Sequence, residues 1–148
     1  MGEYKLSTRI IALSENNEWN TAKHEWCLKR VHFATQPETC LCGHNPIIEL
    51  CIIKNIYNRN ETTVGNCCVK KFLGLPSGKI FDAVKRVRND ECCSFNEETI
   101  EYAYNQGWLN DWERRFYMNI YKKRNLSEKQ IAIKIKVNQK VLAFINKK

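Results

Sequence analysis

The sequence predicts an α+β fold that is mainly helical and contains one small β-hairpin. The β-branched, apolar run Ile47–Tyr57 predicts one strand of the hairpin, and Glu61–Val64 predicts its partner. Asn58-Arg59-Asn60 between them predicts a turn, because Asn tolerates a left-handed backbone. After residue 66 the chain carries a series of helix start and stop signals, so helices should dominate the rest of the molecule.

Two further elements are predicted upstream of the hairpin. Thr8–Leu13 favours a strand. Asn20-Thr21 can cap a helix that runs to about Phe33. The apolar positions of this helix recur at helical spacing: Ala22, Trp26 and Phe33.

The signals after the hairpin predict five helices. The first is Cys67–Leu73, which Gly74 closes. The other four begin at Pro76-Ser77, at the capping box Ser94-Phe95-Asn96-Glu97, at Asn110 or Asp111, and at Ser127. We expect residues 1–76, with the N-terminal helix and the hairpin, and the helical residues 77–148 to form one compact unit.

The last helix competes with a strand. Four β-branched residues alternate with small or charged ones, which is a strand pattern: Ile131, Ile133, Ile135 and Val137. A helix is preferred because the Ser127 cap directly precedes the segment and because a helical wheel separates two faces. The apolar face holds Ile131, Ile135, Asn138, Leu142 and Ile145, and the opposite face holds Lys129, Lys136, Lys140 and Lys147.

The cysteine pattern is the strongest chemical signal. The chain has eight cysteines, and its N-terminus lacks the apolar stretch of a secretory signal. No run is long enough to cross a membrane. We therefore expect a cytoplasmic protein with reduced thiols, in which clustered cysteines bind metal.

Six soft-metal ligands lie between residues 40 and 68, on both sides of the hairpin. They are Cys40, Cys42, His44, Cys51, Cys67 and Cys68. Zn²⁺ prefers four ligands in a tetrahedron, with thiolates especially suitable. The expected set is Cys40, Cys42, Cys51 and Cys68, with His44 and Cys67 in reserve. If Cys51 is only a core residue, His44 must complete the site.

A structural rather than a catalytic zinc is expected. The sequence has neither His-Glu-x-x-His nor a zinc-deaminase signature, and no other catalytic motif emerges, so we expect a protein that is not an enzyme. The resulting fold is a treble-clef-like zinc knuckle on the hairpin, followed by a C-terminal helical bundle. Cys92 and Cys93 are expected to be packing residues rather than ligands of a second metal.

Positive charge is concentrated at the C-terminal end. Residues 121–148 contain nine basic side chains and one acidic one, whereas residues 1–120 are neutral overall. Such asymmetry suggests contact with DNA or RNA, although a solvated helix face explains it equally well. The candidate contact residues are Lys122, Lys123, Arg124, Lys129, Lys136, Lys140 and Lys147, with Arg59 at the hairpin turn.

The aromatic residues divide into core and exposed candidates. Helical spacing predicts that Trp26, Trp112, Phe116 and Tyr117 are buried. Trp108 follows Gly107 directly and is the better candidate for an exposed, base-stacking ring.

Four segments together resemble a group of small zinc-binding proteins common in bacteriophages and prophages. They are Thr39–His44, Glu49–Asn55, Val64–Phe72 and, upstream of these, Ala22-Lys23-His24-Glu25-Trp26. Trp112-Glu113-x-x-Phe116 with Leu126-Ser127-x-Lys129-Gln130 resembles a helical tail of phage and mobile-element proteins, so the resemblance covers most of residues 20–140. It implies Cys40, Cys42, Cys51 and Cys68 as the ligands, with Cys67 a spare.

The leading functional expectation is a zinc-stabilised, phage-type accessory factor that contacts nucleic acid through its basic C-terminal helix. The alternative is a protein-interaction module that inhibits a host defence or replication protein, as anti-CRISPR proteins do. A zinc hydrolase or nuclease is a weaker alternative. The expected location is the cytoplasm, or the host cytoplasm for a phage-encoded chain.

Overall fold

Three strands in the first half of the chain pair into one antiparallel sheet. In the computed structural model, which describes residues 2–145, they are β1 (Trp26–Glu38), β2 (Ile47–Asn55) and β3 (Glu61–Gly65), in that order across the sheet. Strands β2 and β3 form the predicted hairpin, with Leu50 opposite Gly65 and Lys54 opposite Glu61. The hairpin prediction is therefore confirmed.

Seven helices accompany the sheet in the described part of the chain, which confirms an α+β fold. They are α1 (Gly2–Ala12), α2 (Trp19–Ala22), α3 (Asn66–Cys68), α4 (Ser77–Asn89), α5 (Glu97–Asn105), α6 (Asp111–Ile120) and α7 (Glu128–Ile145). The chain divides into two compact units, Met1–Gly78 and Lys79–Lys148. Among the described helices, none has both the length and the apolar character needed to cross a membrane.

The predicted helix is wrong at both ends: α2 begins at Trp19, ahead of the expected Asn20-Thr21 cap, and the predicted continuation to Phe33 is wrong beyond Ala22. Helix α2 ends there, a 3₁₀ turn covers Lys23–Glu25, and the chain then enters β1. Strand β1 pairs with β2 along most of its length, from Trp26 opposite Asn55 to Phe33 opposite Glu49. Backbone pairing with β2 thus overrides the helical spacing of the apolar side chains.

The predicted strand at Thr8–Leu13 is also wrong, because this segment belongs mostly to α1. Leu6 and Ile10 are both fully buried. They lie four residues apart, which places both on the same face of a helix. Burial of this one face therefore favours a helix, although the two consecutive β-branched residues Ile10 and Ile11 have a higher intrinsic propensity for a strand.

The helices after the hairpin follow the predicted series, with two changes. The helix predicted at Cys67–Leu73 is α3 followed by a π-helical segment at Val69–Leu73, which left-handed Gly74 ends, and one cap differs. The side chain of Asn96, rather than Ser94, caps α5 by accepting a hydrogen bond from the Thr99 N–H. Asn110 and Glu113 form a reciprocal capping box at the start of α6. The predicted apolar side of α4 is buried: Ile80, Phe81, Val84 and Val87.

The last segment is a helix, α7, as predicted in preference to a strand, but its buried face is rotated from the predicted one. Ser127 and Gln130 exchange hydrogen bonds at its start, as the predicted cap requires. The buried stripe is Lys134, Val137, Asn138, Val141 and Ile145. Ile131 is 37% exposed, so this predicted core position lies at the edge. The stripe shifts because two polar side chains, Lys134 and Asn138, find hydrogen-bond partners inside the unit.

A buried carboxylate ties the N-terminal loop to the end of β2. Glu25 is 2% exposed. Its two oxygens accept hydrogen bonds from the backbone N–H groups of Glu15 and Asn16 at 2.8 and 2.9 Å. The side-chain amides of Asn16 and Asn55 add two more, at 2.6 and 2.9 Å. These four donors satisfy the carboxylate, which explains how it is buried without a cation.

We expect Glu25→Gln to weaken the acid sensitivity of the protein. Burial opposes ionisation, but the hydrogen bonds from Asn55, Glu15 and Asn16 together lower the pKa of Glu25 from its ordinary 4.5 to about 2. A lowered pKa in the folded state stabilises the protein fully above the unfolded value, and this stabilisation is lost as the pH falls from about 4.5 to about 2.

Denaturant melts over that pH range test the expectation. The wild type should lose more stability on acidification than Glu25→Gln does, while exposed Glu18 changed to Gln should behave like the wild type. Parallel pH profiles of the wild type and Glu25→Gln would contradict this role of Glu25.

Candidate metal centre

The loop between β1 and β2 folds into a tight turn that aims two cysteines inward. The Gly43 N–H donates to the Cys40 carbonyl at 2.8 Å, and the Cys40 N–H donates to the His44 carbonyl at 2.9 Å. Gly43 has a φ of 95°, a left-handed conformation that glycine adopts without steric cost. We call residues 40–44 the knuckle. Its geometry buries the side chains of both Cys40 and Cys42.

A third cysteine comes from the helical turn that follows the hairpin. Strand β3 ends at Gly65, and α3 begins at Asn66, which is 4% exposed. The Asn66 amide donates to Glu49 Oε1 at 2.9 Å, and its oxygen accepts from the Ser77 hydroxyl at 2.7 Å. These bonds anchor the start of α3 to β2 and to the beginning of α4, and so fix the position of Cys68.

The three sulfurs meet at one point. The Sγ atoms of Cys40, Cys42 and Cys68 all lie within 4.8 Å of one another. Within residues 2–145 this is the one group of three or more His, Cys, Asp or Glu side chains arranged to hold a metal ion. Three of the four predicted ligands are therefore brought together, and they could bind a soft metal cation.

Backbone N–H groups point at the buried sulfur of Cys40. The Gly65 N–H donates to Cys40 Sγ at 3.2 Å, and the Cys42 N–H donates to the same atom at 3.5 Å. Donors of this kind stabilise negative charge on sulfur more than they stabilise a neutral thiol. The site is thus built to accept thiolate charge from both the knuckle and the end of β3.

The pKa values within the cluster separate one thiol from the other two. Burial raises the pKa of Cys40 and of Cys68, and the Cys42 thiol raises both further, while the N–H groups of Cys42 and Gly65 partly oppose the rise at Cys40. Burial acts on Cys42 as well, but the His44 N–H and the thiols of Cys40 and Cys68 donate to it, and its pKa is lowered. Three sulfurs this close ionise together only when a cation joins them, so metal binding should release protons.

Helix α1 brings two cations to the knuckle. Arg9 Nη1 donates to the Leu41 carbonyl at 2.6 Å. A Cβ built on Gly43 would lie 3.9 Å from Lys5 Nζ, so this ammonium sits beside the turn. Both positive charges favour thiolates nearby. The sequence reading missed this contact, although Lys5 and Arg9 share the four-residue spacing of Leu6 and Ile10 beside them.

The other candidate ligands lie outside the group of three. Cys51 is fully buried in β2. Burial raises the pKa of its thiol to about 12; a hydrogen bond with Ser77 opposes this rise, and nearby Glu49 and Cys40 add to it. His44 and Cys67 are exposed. Cys67 and Cys68 are consecutive in α3, so their side chains point about 100° apart and do not readily meet at one ion. Cys51 and His44 are therefore the candidates for a fourth ligand, one inside the sheet and one on the knuckle itself.

The predicted basic residues fall into exposed and occupied groups. The exposed ones are Lys122, Lys123, Arg124, Lys129, Lys136 and Arg59. Lys140 is half-buried and donates to Glu113 at 2.9 Å, so its charge is already compensated. Lys134 is 7% exposed and donates to the Cys92 carbonyl at 2.6 Å. Lys147 lies outside the described residues.

Two aromatic predictions are wrong, in opposite senses. Trp112, expected in the core, is 53% exposed. Trp108, expected to be the exposed ring, packs edge-on against Tyr102 and stacks on Phe144 with ring centroids 5.4 and 5.6 Å away. The buried prediction is correct for Trp26 and Tyr117, while Phe116 is half-buried.

Comparison of the chain with protein-family models, with curated proteins and with solved structures gave no match. A function must therefore be argued from the cysteine group and from the distribution of charge.

Proposed function

We propose that this chain is a zinc-stabilised, non-enzymatic protein that binds nucleic acid through its C-terminal basic segment, residues 121–148. Zinc is the proposed metal because sulfur donors suit it and because a buried tetrahedral thiolate site is typical of structural zinc. The knuckle, the hairpin and the start of α3 would then form a treble-clef-like unit around the ion.

The chemistry of the donor set supports a structural role for the metal. Cys40 and Cys42 are buried, and backbone donors already surround Cys40. A fourth protein ligand, Cys51 or His44, would close the site against substrate. The ion would cross-link the knuckle to Cys68, which lies 26 residues after Cys42 in the sequence, and it would serve no catalytic step.

The exposure of five cations carries the nucleic-acid proposal. Between residues 121 and 145, Lys122, Lys123, Arg124, Lys129 and Lys136 are exposed, and Glu128 is the one acidic residue. Their charges are available to phosphates, in contrast to those of Lys134 and Lys140. Phosphate contacts by Lys and Arg supply most of the affinity of non-specific binding.

Salt dependence tests this proposal with short DNA and RNA, duplex and single-stranded. Five phosphate contacts predict a slope of log K against log salt of about −4.5 on duplex DNA, or about a 500-fold loss between 50 and 200 mM salt. Changing Lys129 and Lys136 together to Glu should reduce the slope to about −2.7 and the loss to about 40-fold.

A matched control separates local contacts from net charge. Lys70 and Lys71 are exposed lysines in the N-terminal unit, so changing both to Glu alters the net charge equally. That variant, checked for unchanged metal content, should keep the wild-type slope. An equal loss in both double variants would overturn the assignment to residues 121–148, and no binding by the wild type at low salt would overturn nucleic acid as the partner.

A protein partner is the second candidate, because the hairpin ends in exposed apolar side chains. Ile56 and Tyr57 are 56% and 65% exposed beside Arg59. Aromatic side chains with a neighbouring Arg are enriched in protein interfaces. An accessory protein of a bacteriophage, which the cysteine pattern resembles, could act by either route.

A further inference from the structure

Helix α6 exposes an aromatic pair in which one ring lies flat on the other. The rings of Trp112 and Phe116 stack with centroids 5.3 Å apart and planes 9° apart. Phe116 covers one face of the indole, yet Trp112 remains 53% exposed. The outer face of a large, preoriented ring therefore faces solvent. By contrast, Trp26 is buried with its N–H bonded to Ser14, and Trp108 lies between two other rings.

Positive charge follows the pair along the same helix. Arg115 is exposed three residues after Trp112, and Lys122, Lys123 and Arg124 are exposed just beyond the end of α6. The helix rises by about 12 Å between Trp112 and its last residue, Ile120, which is enough to span a few nucleotides. The cations thus extend from the aromatic pair toward the proposed nucleic-acid segment.

The carboxylates at the start of α6 are already engaged. Asp111 Oδ1 accepts from the Tyr104 hydroxyl at 2.6 Å. Glu113 Oε1 accepts from Lys140 Nζ and from the Asn110 N–H, both at 2.9 Å. Arg114 pairs with Glu101. Asp111 keeps its negative charge, which Arg115 offsets, so the net positive charge of this segment is that of the three cations after α6. That charge complements a phosphate backbone.

We propose that Trp112, supported by Phe116, is a stacking platform for a base of single-stranded nucleic acid, with Arg115 and Lys122 contacting the adjoining phosphates. This inference rests on the proposed nucleic-acid function and specifies the form of the ligand. Bases in a duplex are covered by their neighbours, whereas an unpaired base offers its face to an aromatic ring. Exposed aromatic rings beside cations are the usual means of binding single strands without sequence preference.

The test compares a 12-nucleotide oligo(dT) with a 12-base-pair duplex at low salt. Trp112→Ala should weaken oligo(dT) binding by about 5- to 150-fold, the range found for single base-stacking residues, and should leave duplex binding within about twofold. Trp112→Phe should keep most of the affinity, because the ring is retained. Tyr4→Ala is the matched control, since Tyr4 is an exposed aromatic residue, 76% exposed, in the N-terminal unit.

Tryptophan emission gives a second, independent readout. Oligo(dT) should quench the emission of the wild type, and the quenching should be largely lost in Trp112→Phe although binding persists. Equal oligo(dT) affinities for the wild type and Trp112→Ala, or equal losses for oligo(dT) and duplex, would overturn the platform while leaving the proposed function standing. Binding of neither probe by the wild type would overturn both.

Discussion

Changing Cys40 to Ser is expected to unfold the N-terminal unit, Met1–Gly78, under conditions in which the wild type is folded. Cys40 is 2% exposed and belongs to the group of three sulfurs within 4.8 Å. Structural zinc contributes on the order of 10 kcal/mol to the folding of small modules. Small domains are stable by only about 5–15 kcal/mol, so the loss of this contribution removes most of their stability.

A strong chelator should have the same effect on the wild type. Thermal melts with and without chelator check both expectations. Cys27→Ser is the matched control, because Cys27 is an exposed thiol on β1 and is not one of the three clustered sulfurs. It should melt like the wild type and remain sensitive to chelator. A wild type that ignores the chelator, together with a stable Cys40→Ser variant, would contradict the metal account.

Two more variants identify the fourth ligand. If Cys51 completes the site, Cys51→Ser should lower metal affinity and His44→Ala should not. If His44 completes it, the reverse holds, and Cys51→Ser should cost only what a buried packing residue contributes. Cobalt substitution distinguishes the two cases independently, because four thiolates and three thiolates with one imidazole give different charge-transfer spectra.

Changing Asn138 to Ala is expected to destabilise the C-terminal unit, Lys79–Lys148, by about 3 kcal/mol. Asn138 is fully buried on α7, and its amide donates to the carbonyls of Glu91 and Cys93 at 2.8 and 2.9 Å. Its oxygen accepts from the Tyr117 hydroxyl, which in turn accepts from the Phe95 N–H at 2.9 Å. Truncation leaves the buried Tyr117 hydroxyl and two partly buried backbone carbonyls without this partner.

The Tyr117 hydroxyl is the donor in its hydrogen bond to Asn138. Burial raises the pKa of Tyr117 to about 12, so the phenol stays protonated at neutral pH and donates to Asn138. Denaturant melts measure the expected loss. Gln139→Ala is the control, because Gln139 is exposed on the same helix and bonds only through its side chain to Glu91 at 3.1 Å. A change below about 0.5 kcal/mol in Asn138→Ala would show that the network adds little.

The sequence predicted the elements whose signals are local. β-Branched strands and an Asn-rich turn indicate the hairpin, although the left-handed residue of the turn is Arg59, with a φ of 64°, rather than one of the two Asn residues. The cap of α7 is visible as Ser127 with Gln130 three residues later. Cys40 and Cys42 are only two residues apart in the sequence, so a tight turn at Gly43 suffices to bring their sulfurs together.

Strand β1 escaped prediction because a bulge breaks its alternation. Leu28 pairs with Ile53 but Arg30 pairs with Ile52, so Lys29 is an extra residue on one strand. Buried Trp26 and Val31 consequently lie five residues apart, an odd spacing that a regular strand would place on opposite faces. The resulting pattern resembles a helix until the partner strand β2 is known.

Contacts between segments that are distant in sequence could not be predicted either. Lys134 stabilises the fold rather than being exposed to a ligand, because it donates to the Cys92 carbonyl, 42 residues away in sequence. Trp112 is exposed and Trp108 is half-buried because different rings pack beside them, Phe116 of the same helix in one case and Phe144 of α7 in the other. Spacing alone gives such residues a face but does not say which neighbour covers it.

The metal content of the purified protein tests the central claim most directly. Elemental analysis of the wild type, purified without added metal or chelator, should find one zinc ion per chain, and the Cys40→Ser and Cys68→Ser variants should have lost it. In a thiol titration of the folded wild type, the clustered sulfurs should not react until a chelator is added. Two results together would contradict a structural metal site. The wild type would contain no bound metal, and all eight thiols would react at once on unfolding, whether or not zinc is added.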